Sequence, residues 1–164
     1  MEHSAAKYSP KGLRIGHVHL KVADIERSLA FWREIIGLQV MQRMPRAVFL
    51  SVDGYHHHIA INTWESEGGP SPAPGTTGLF HVALVYPDRP ALATALARLM
   101  AVGIPLDGAS DHGVSEALYL RDPDGNGVEL YRDRPAAEWP RDAQGGIAMF
   151  TQRLDVQGLL AEAV

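Results

Sequence analysis

Apolar and polar residues alternate over residues 13–22 (LRIGHVHLKV), and the apolar and β-branched types among them predict a half-buried strand. The period then changes. Ile25, Leu29, Trp32 and Ile36 recur at spacings of four, three and four, which is one face of a helix. Asp24 is its expected N-cap and Gly37 its stop. Three short strands are expected next, at 38–43, 46–52 and 56–63, with Asp53-Gly54 turning between the last two. Residues 65–77 (ESEGGPSPAPGTT) break the pattern with Gly, Pro, Ser and Thr and read as a linker.

After the linker the order begins again. Residues 79–86 (LFHVALVY) predict a strand. Asp88 caps a helix with Pro90 in its first turn, with Leu92, Leu96 and Leu99 on the inner face and Gly103 at the end. Strands near 104–107, 115–120 and 127–132 follow, and Asp124-Gly125 turns between the last two. The chain is therefore β-α-β-β-β twice, an internal repeat. The expected fold class is α+β, with two βαβββ modules pairing into a curved sheet around a shared cavity. The expected organisation is an N-terminal tail (1–12), a first module (13–64), the linker (65–77), a second module (78–134) and a C-terminal extension (135–164). Within the extension, Asp155 to Ala163 predicts a short helix and the remainder reads as irregular.

Composition narrows the function classes. A length of 164 residues suits one domain or two small halves of one, and 46% hydrophobic residues is enough for a real core. The net charge is −4 and the basic residues do not cluster, which argues against nucleic acid and anionic membranes as partners. The absence of cysteine excludes disulfides and thiolate metal sites. No apolar run approaches membrane-span length, and residues 1–12 lack the apolar core of a signal peptide, so the expected location is the cytoplasm. The eight histidines then stand out, and the run His56-His57-His58 is internal rather than a terminal tag.

The repeat gives several of them a common place. His17 and His81 occupy equivalent positions in the two first strands, and His58 and Glu129 each stand four residues past a turn glycine, Gly54 or Gly125. Two neutral imidazoles and one carboxylate on adjacent strands make a facial set for a divalent metal with open positions opposite, which suits non-haem Fe(II) and oxygen chemistry. A lone strand histidine is more often a satisfied polar residue; the joint placement is what favours a metal-holding cavity. His19 shares strand parity with His17, and aligning GHVHL with FHVAL selects His17. His56 shares parity with His58. His57 is expected on the other face, structural or solvent-facing, and His3 is expected to be disordered. Asn62 and Trp64 continue the His58 strand and, with Phe49, are candidates for pocket lining or core. Residues 110–131 add His112 and Tyr119 around a D-P-D-G turn that ends near Glu129.

Paired β-α-β-β-β modules with H-V-x-L first strands resemble the vicinal oxygen chelate superfamily over about residues 13–134. Within it, the stretch His112, five residues, Leu118-Tyr119, Leu120-Arg121, Asp122-Pro123-Asp124-Gly125 and Glu129 is similar to the pattern of the type I extradiol (catechol 2,3-) dioxygenases. Ser110 departs from that pattern, and the chain has two modules where larger members have four. HHHIAINTW likewise looks like the family's H-H-x-x-A-F strand, with His58 in place of its second histidine. The resemblance implies His17, His81 and Glu129 as metal ligands, with Fe(II) favoured and Mn(II) or another divalent ion an alternative. It implies His58 as the active-site base, or a fourth ligand, and His112 and Tyr119 as groups that hydrogen-bond substrate or oxygen. The implied activity is ring cleavage of a catechol-type diol with O2. Open sheet edges point to a homodimer. Two readings compete on the same scaffold: a glyoxalase-like isomerase, lyase or thiol transferase, and a non-enzymatic aromatic-ligand binder of the bleomycin-binding type.

Overall fold

The computed structural model describes residues 11–164. The expectation for His3 lies outside the described residues. The first module runs β1 (Val18–Lys21), α1 (Ile25–Leu29), a π-helical turn (Ala30–Ile35), β2 (Gln39–Met44), β3 (Ala47–Ser51) and β4 (Ile59–Asn62). The second runs β5 (Val82–Tyr86), α2 (Arg89–Ala101), β6 (Gly108–Asp111), β7 (Ser115–Arg121) and β8 (Gly127–Asp133). The extension adds a 3-10 turn (Ala136–Glu138), β9 (Gln152–Arg153) and α3 (Val156–Leu160). The fold is α+β, built from the β-α-β-β-β unit used twice, as the sequence pattern implies.

Each module forms its own mixed sheet. The strand orders are β1-β4-β3-β2 and β5-β8-β7-β6-β9, so in both the first strand lies parallel to the fourth, and the remaining pairs are antiparallel. Each sheet buries one face beneath its helix. Leu20, Val48, Leu50, Ile59 and Ile61 pack with Leu29, Phe31 and Trp32; Val82, Leu118, Leu120, Val128 and Leu130 pack with Leu92, Leu96 and Leu99. Strand alternation then sends the neighbours of these residues to the opposite, open face. His17, His19 and Phe49 take that parity in the first sheet, and His81, Tyr119, Glu129 and Tyr131 in the second.

Several boundaries differ from the pattern, each for a local reason. The first strand is paired only over Val18–Lys21, because its partner supplies a ladder only over Ile59–Asn62. The helix after Asp24 opens into a π turn, with Ile36 N bonding Phe31 O at 3.0 Å. That widening turns Phe31 into the core beside Trp32, although the spacing placed it off the apolar face. The strand expected near 104–107 lies instead at Gly108–Asp111: Ile104 N is used to close the end of α2 on Leu99 O, and Pro105 has no N–H to give a ladder. The extension is more ordered than expected. Its strand β9 pairs with β6, and Leu154 and Leu159 enter the core.

The D-P-D-G turn joins the modules. Asp122 Oδ1 accepts from Asp124 N (2.9 Å) and Asn126 N (2.8 Å), which fixes the turn, with Gly125 at φ 86°. Asp124 Oδ1 then reaches across to the first module, accepting from Ala23 N at 2.9 Å and from Arg27 Nη2 at 2.5 Å. Asp124 is buried while Arg27 is half-exposed, so the tie is worth less than a fully buried pair. Asp124→Ala is expected to destabilise the protein by about 1–3 kcal/mol, chiefly by stranding Ala23 N–H. Urea unfolding checks this, and no change in midpoint would remove the turn from a docking role.

Candidate active site

The second sheet brings four of the expected residues into one hydrogen-bonded chain. Tyr119 and Glu129 are direct cross-strand partners on β7 and β8. The Tyr119 hydroxyl lies 3.3 Å from Glu129 Oε1 and 2.8 Å from His112 Nε2, within reach of both with its single hydrogen. Glu129 Oε2 is 2.9 Å from His81 Nε2. The other ring nitrogen of His81 is buried without a hydrogen-bond partner among the described residues. A buried polar atom left unpaired costs about 1–3 kcal/mol and calls for an explanation, of which a bound ion is one. Burial, and then the charge and hydrogen bond of Glu129, push the Tyr119 hydroxyl up to about 12, so it stays a proton donor across the neutral range.

Gly127 sets the approach of β8 to His81. A Cβ at this position would collide with the Phe80 carbonyl oxygen and lie 3.0 Å from His81 Cβ. The glycine thus lets the strand bearing Glu129 close onto the strand bearing His81. A cavity of about 250 Å3 beside them is lined by His81, Tyr119, Phe80, Gly108 and Gly127.

The open face of the first sheet carries a histidine–aromatic cluster. The His17 ring lies 4.3 Å from His57, and His57 lies 5.0 Å from Phe49. His19 stacks edge-on against Trp64 at 5.1 Å and Phe49 at 6.2 Å. Burial, then the charge of His17, lowers the pKa of both His19 and His57, which favours neutral rings, and His57 Nδ1 lies 2.8 Å from His56 Nδ1. His58 is turned differently: its Nδ1 lies 3.2 Å from Ser51 Oγ and 3.4 Å from Val52 N, and its ring lies near Tyr55.

This corrects the placing of His57. The sequence pattern sets it on the far face, yet its ring packs on His17. The ladder begins only at Ile59, and residues 52–56 form a bend, so strict alternation does not extend back through the histidine run. The order of the six expected site residues is then plain. His81, Glu129, Tyr119 and His112 are brought together. His17 and His58 line a separate groove of about 550 Å3, faced from the second sheet by Ala83, Val85 and Tyr131. Among the described residues, no three metal-ligating side chains stand together as a finished binding group. Sequence reasoning missed Gly127, whose signal is the second glycine of the G-N-G run. It also missed Phe150 and Thr151, which contact His112 and carry no motif.

A family model for the glyoxalase/bleomycin resistance protein/dioxygenase superfamily matches residues 14–130. The chain belongs to this superfamily. Within the superfamily it is 45% identical over 153 residues to a catechol-2,3-dioxygenase of Bacillus subtilis, covering 91% of this chain and 52% of that protein. It is 33% identical over 120 residues to biphenyl-2,3-diol 1,2-dioxygenase 3 of Rhodococcus globerulus, covering 73% of this chain and 63% of that protein. The chain thus spans about half to two-thirds of the length of these relatives. A crystal structure of a glyoxalase/dioxygenase from Nostoc punctiforme shares the superfamily fold, with a TM-score of 0.62 at 20% identity, over 80% of this chain and 99% of that one. No helix among the described residues is long and apolar enough to cross a membrane.

Proposed function

We propose that this protein is a metal-dependent extradiol dioxygenase that cleaves the ring of a catechol-type substrate with O2. The observation that carries the reading is the chain His112–Tyr119–Glu129–His81, which joins two metal-ligand types to two groups able to hydrogen-bond oxygen. The two dioxygenase relatives support it.

The donor set fits a divalent metal in its chemistry. His81 and Glu129 present an imidazole nitrogen and a carboxylate oxygen toward each other, and His81 keeps a buried unpaired nitrogen. His81 and Glu129 stand together for the ion, and His17, which the resemblance adds, lines a separate groove and would have to approach them to complete a two-histidine, one-carboxylate set, for which Fe(II) is our first choice. Such an ion would, when bound, acidify a diol oxygen and supply the redox chemistry that a reaction with O2 needs.

The remaining work falls to the side chains. One diol proton needs a neutral imidazole as acceptor. His58 fills that role on the motif; the packing of the His57 ring directly on His17 supports His57 better, and we assign the base to it. Tyr119, held protonated, would swing its hydrogen from His112 Nε2 to developing negative charge on oxygen, and His112 keeps the hydroxyl in place until then. Phe49, Trp64 and His19, packed edge to face, offer an aromatic wall to a ring substrate. The fully exposed edge strand β2, with Val40, Met41 and Met44 on its surface, supports pairing with a second copy in the cytoplasm, which sedimentation at twice the chain mass would check.

A panel of divalent metals separates this reading from a glyoxalase-like one. Metal-free protein loaded anaerobically is expected to cleave catechols with Fe(II) or Mn(II) and to show no hemithioacetal isomerisation with any metal. Isomerisation with Zn(II) or Ni(II), without catechol cleavage, would overturn the proposal.

A further inference from the structure

We infer that the C-terminal extension is a positioning element of the site, in which the main-chain carbonyl of Phe150 holds His112 as its Nδ1–H tautomer and presents Nε2 to Tyr119. What His112 then does for the reaction rests on the dioxygenase reading; the tautomer does not. His112 Nδ1 lies 2.9 Å from Phe150 O. A carbonyl oxygen can only accept, so Nδ1 must carry the hydrogen. In the neutral ring Nε2 is then a lone pair, 2.8 Å from the Tyr119 hydroxyl. That hydroxyl has two acceptors to choose between, His112 Nε2 and Glu129 Oε1, and it can turn from one to the other without leaving the site.

The contact is built from both sides. Phe150 N returns a hydrogen bond to His112 O at 3.3 Å, so the two residues pair through ring and backbone together. Just beyond, β9 pairs with β6 through Asp111↔Gln152 and Ser110↔Arg153, and Leu154 anchors the segment in the core. On the other side, Asp111 accepts from Gly113 N at 2.8 Å and is held by Arg134 at 2.7 Å. Gly113, at φ 75°, lies directly beneath the segment. A Cβ there would sit 2.5 Å from Phe150 Cε1 and 2.8 Å from Pro140 Cγ. A strap that only covered the core would have no need to aim a carbonyl at a ring nitrogen. The one competing partner is Thr151 Oγ1, at 3.3 Å from the same nitrogen.

The test is 15N NMR of the histidine rings in metal-free protein at about pH 8.5, some two units above the ordinary imidazole value of about 6.5. A His112→Gln variant assigns the signal. The expected wild-type pattern is Nδ1–H with an unprotonated Nε2, and Thr151→Val is expected to keep it. Gly113→Ala, which pushes the strap away, is expected to lose the pattern and, once metal-loaded, to lower kcat on catechol at least about tenfold with KM little changed. An Nε2–H wild type would overturn the inference whether or not Gly113→Ala folds. So would loss of the pattern in Thr151→Val, which would make the hydroxyl the partner. The expected tautomers together with no catechol cleavage by the loaded wild type would uphold the positioning role and remove the dioxygenase reading instead.

Discussion

Glu129→Ala is expected to yield a folded protein that retains no metal and has lost catechol turnover by more than about a hundredfold. Glu129 is the only carboxylate in the chain of contacts that links His81 to Tyr119 and His112. Losing a mere outer-shell partner of a metal ligand costs roughly 10–100-fold in affinity or activity, and losing the anionic ligand itself must cost more. The fold should survive, because β8 is anchored by Val128 and Leu130 on the opposite face. The same variant carries an internal check. The Tyr119 hydroxyl is raised to about 12 by burial first and by Glu129 second, so removing Glu129 should lower it while burial keeps it above the ordinary value. Ultraviolet titration of metal-free protein reads that shift directly. Full metal occupancy in Glu129→Ala, by elemental analysis, would remove this residue from the ligand set.

The second large effect is expected in the histidine run. His57→Gln should keep its metal and lower kcat by roughly 10²–10⁴-fold, the usual contribution of a positioned acid–base group. Glutamine preserves bulk against His17 and Phe49 but cannot accept a proton at neutral pH. His58→Gln should cost no more than about tenfold, because the His58 ring turns to Ser51 and Tyr55 at the bend while the His57 ring packs on His17. Measuring kcat and metal content on both variants decides between them. A collapse of kcat confined to His58→Gln would return the base role to that residue.

The contrast between these two histidines shows how far residue patterns reach. Helix caps at Asp24 and Asp88, the buried leucines of α2 and the turn at Asp124-Gly125 were all legible, because each depends on short-range spacing. The placing of Tyr119 and Glu129 on either side of one turn was legible for the same reason, and the hairpin register makes them direct cross-strand partners. Parity failed at His57 because the strand had not yet begun there. It failed at 104–107 because a proline and the helix end took the donors the ladder needs. The contact of Phe150 with His112 bridges distant parts of the chain through a backbone carbonyl, which every residue carries, so no side-chain pattern announces it. Asp124 reads as a turn residue in the motif, and only the packing of the modules reveals its second task at Ala23 and Arg27.

The proposed joint use of His17 from one sheet and His81 with Glu129 from the other, for oxygen-dependent ring cleavage, is most directly tested by oxygen uptake. Protein loaded with Fe(II) under anaerobic conditions is mixed with a catechol in an oxygen electrode fitted with an absorbance cell. The expected result is uptake of one O2 for each catechol consumed, with a yellow ring-opened product, and loss of both signals in His17→Ala. Absence of uptake across a broad panel of catechols by iron-loaded protein, or unaltered uptake in His17→Ala, would contradict it.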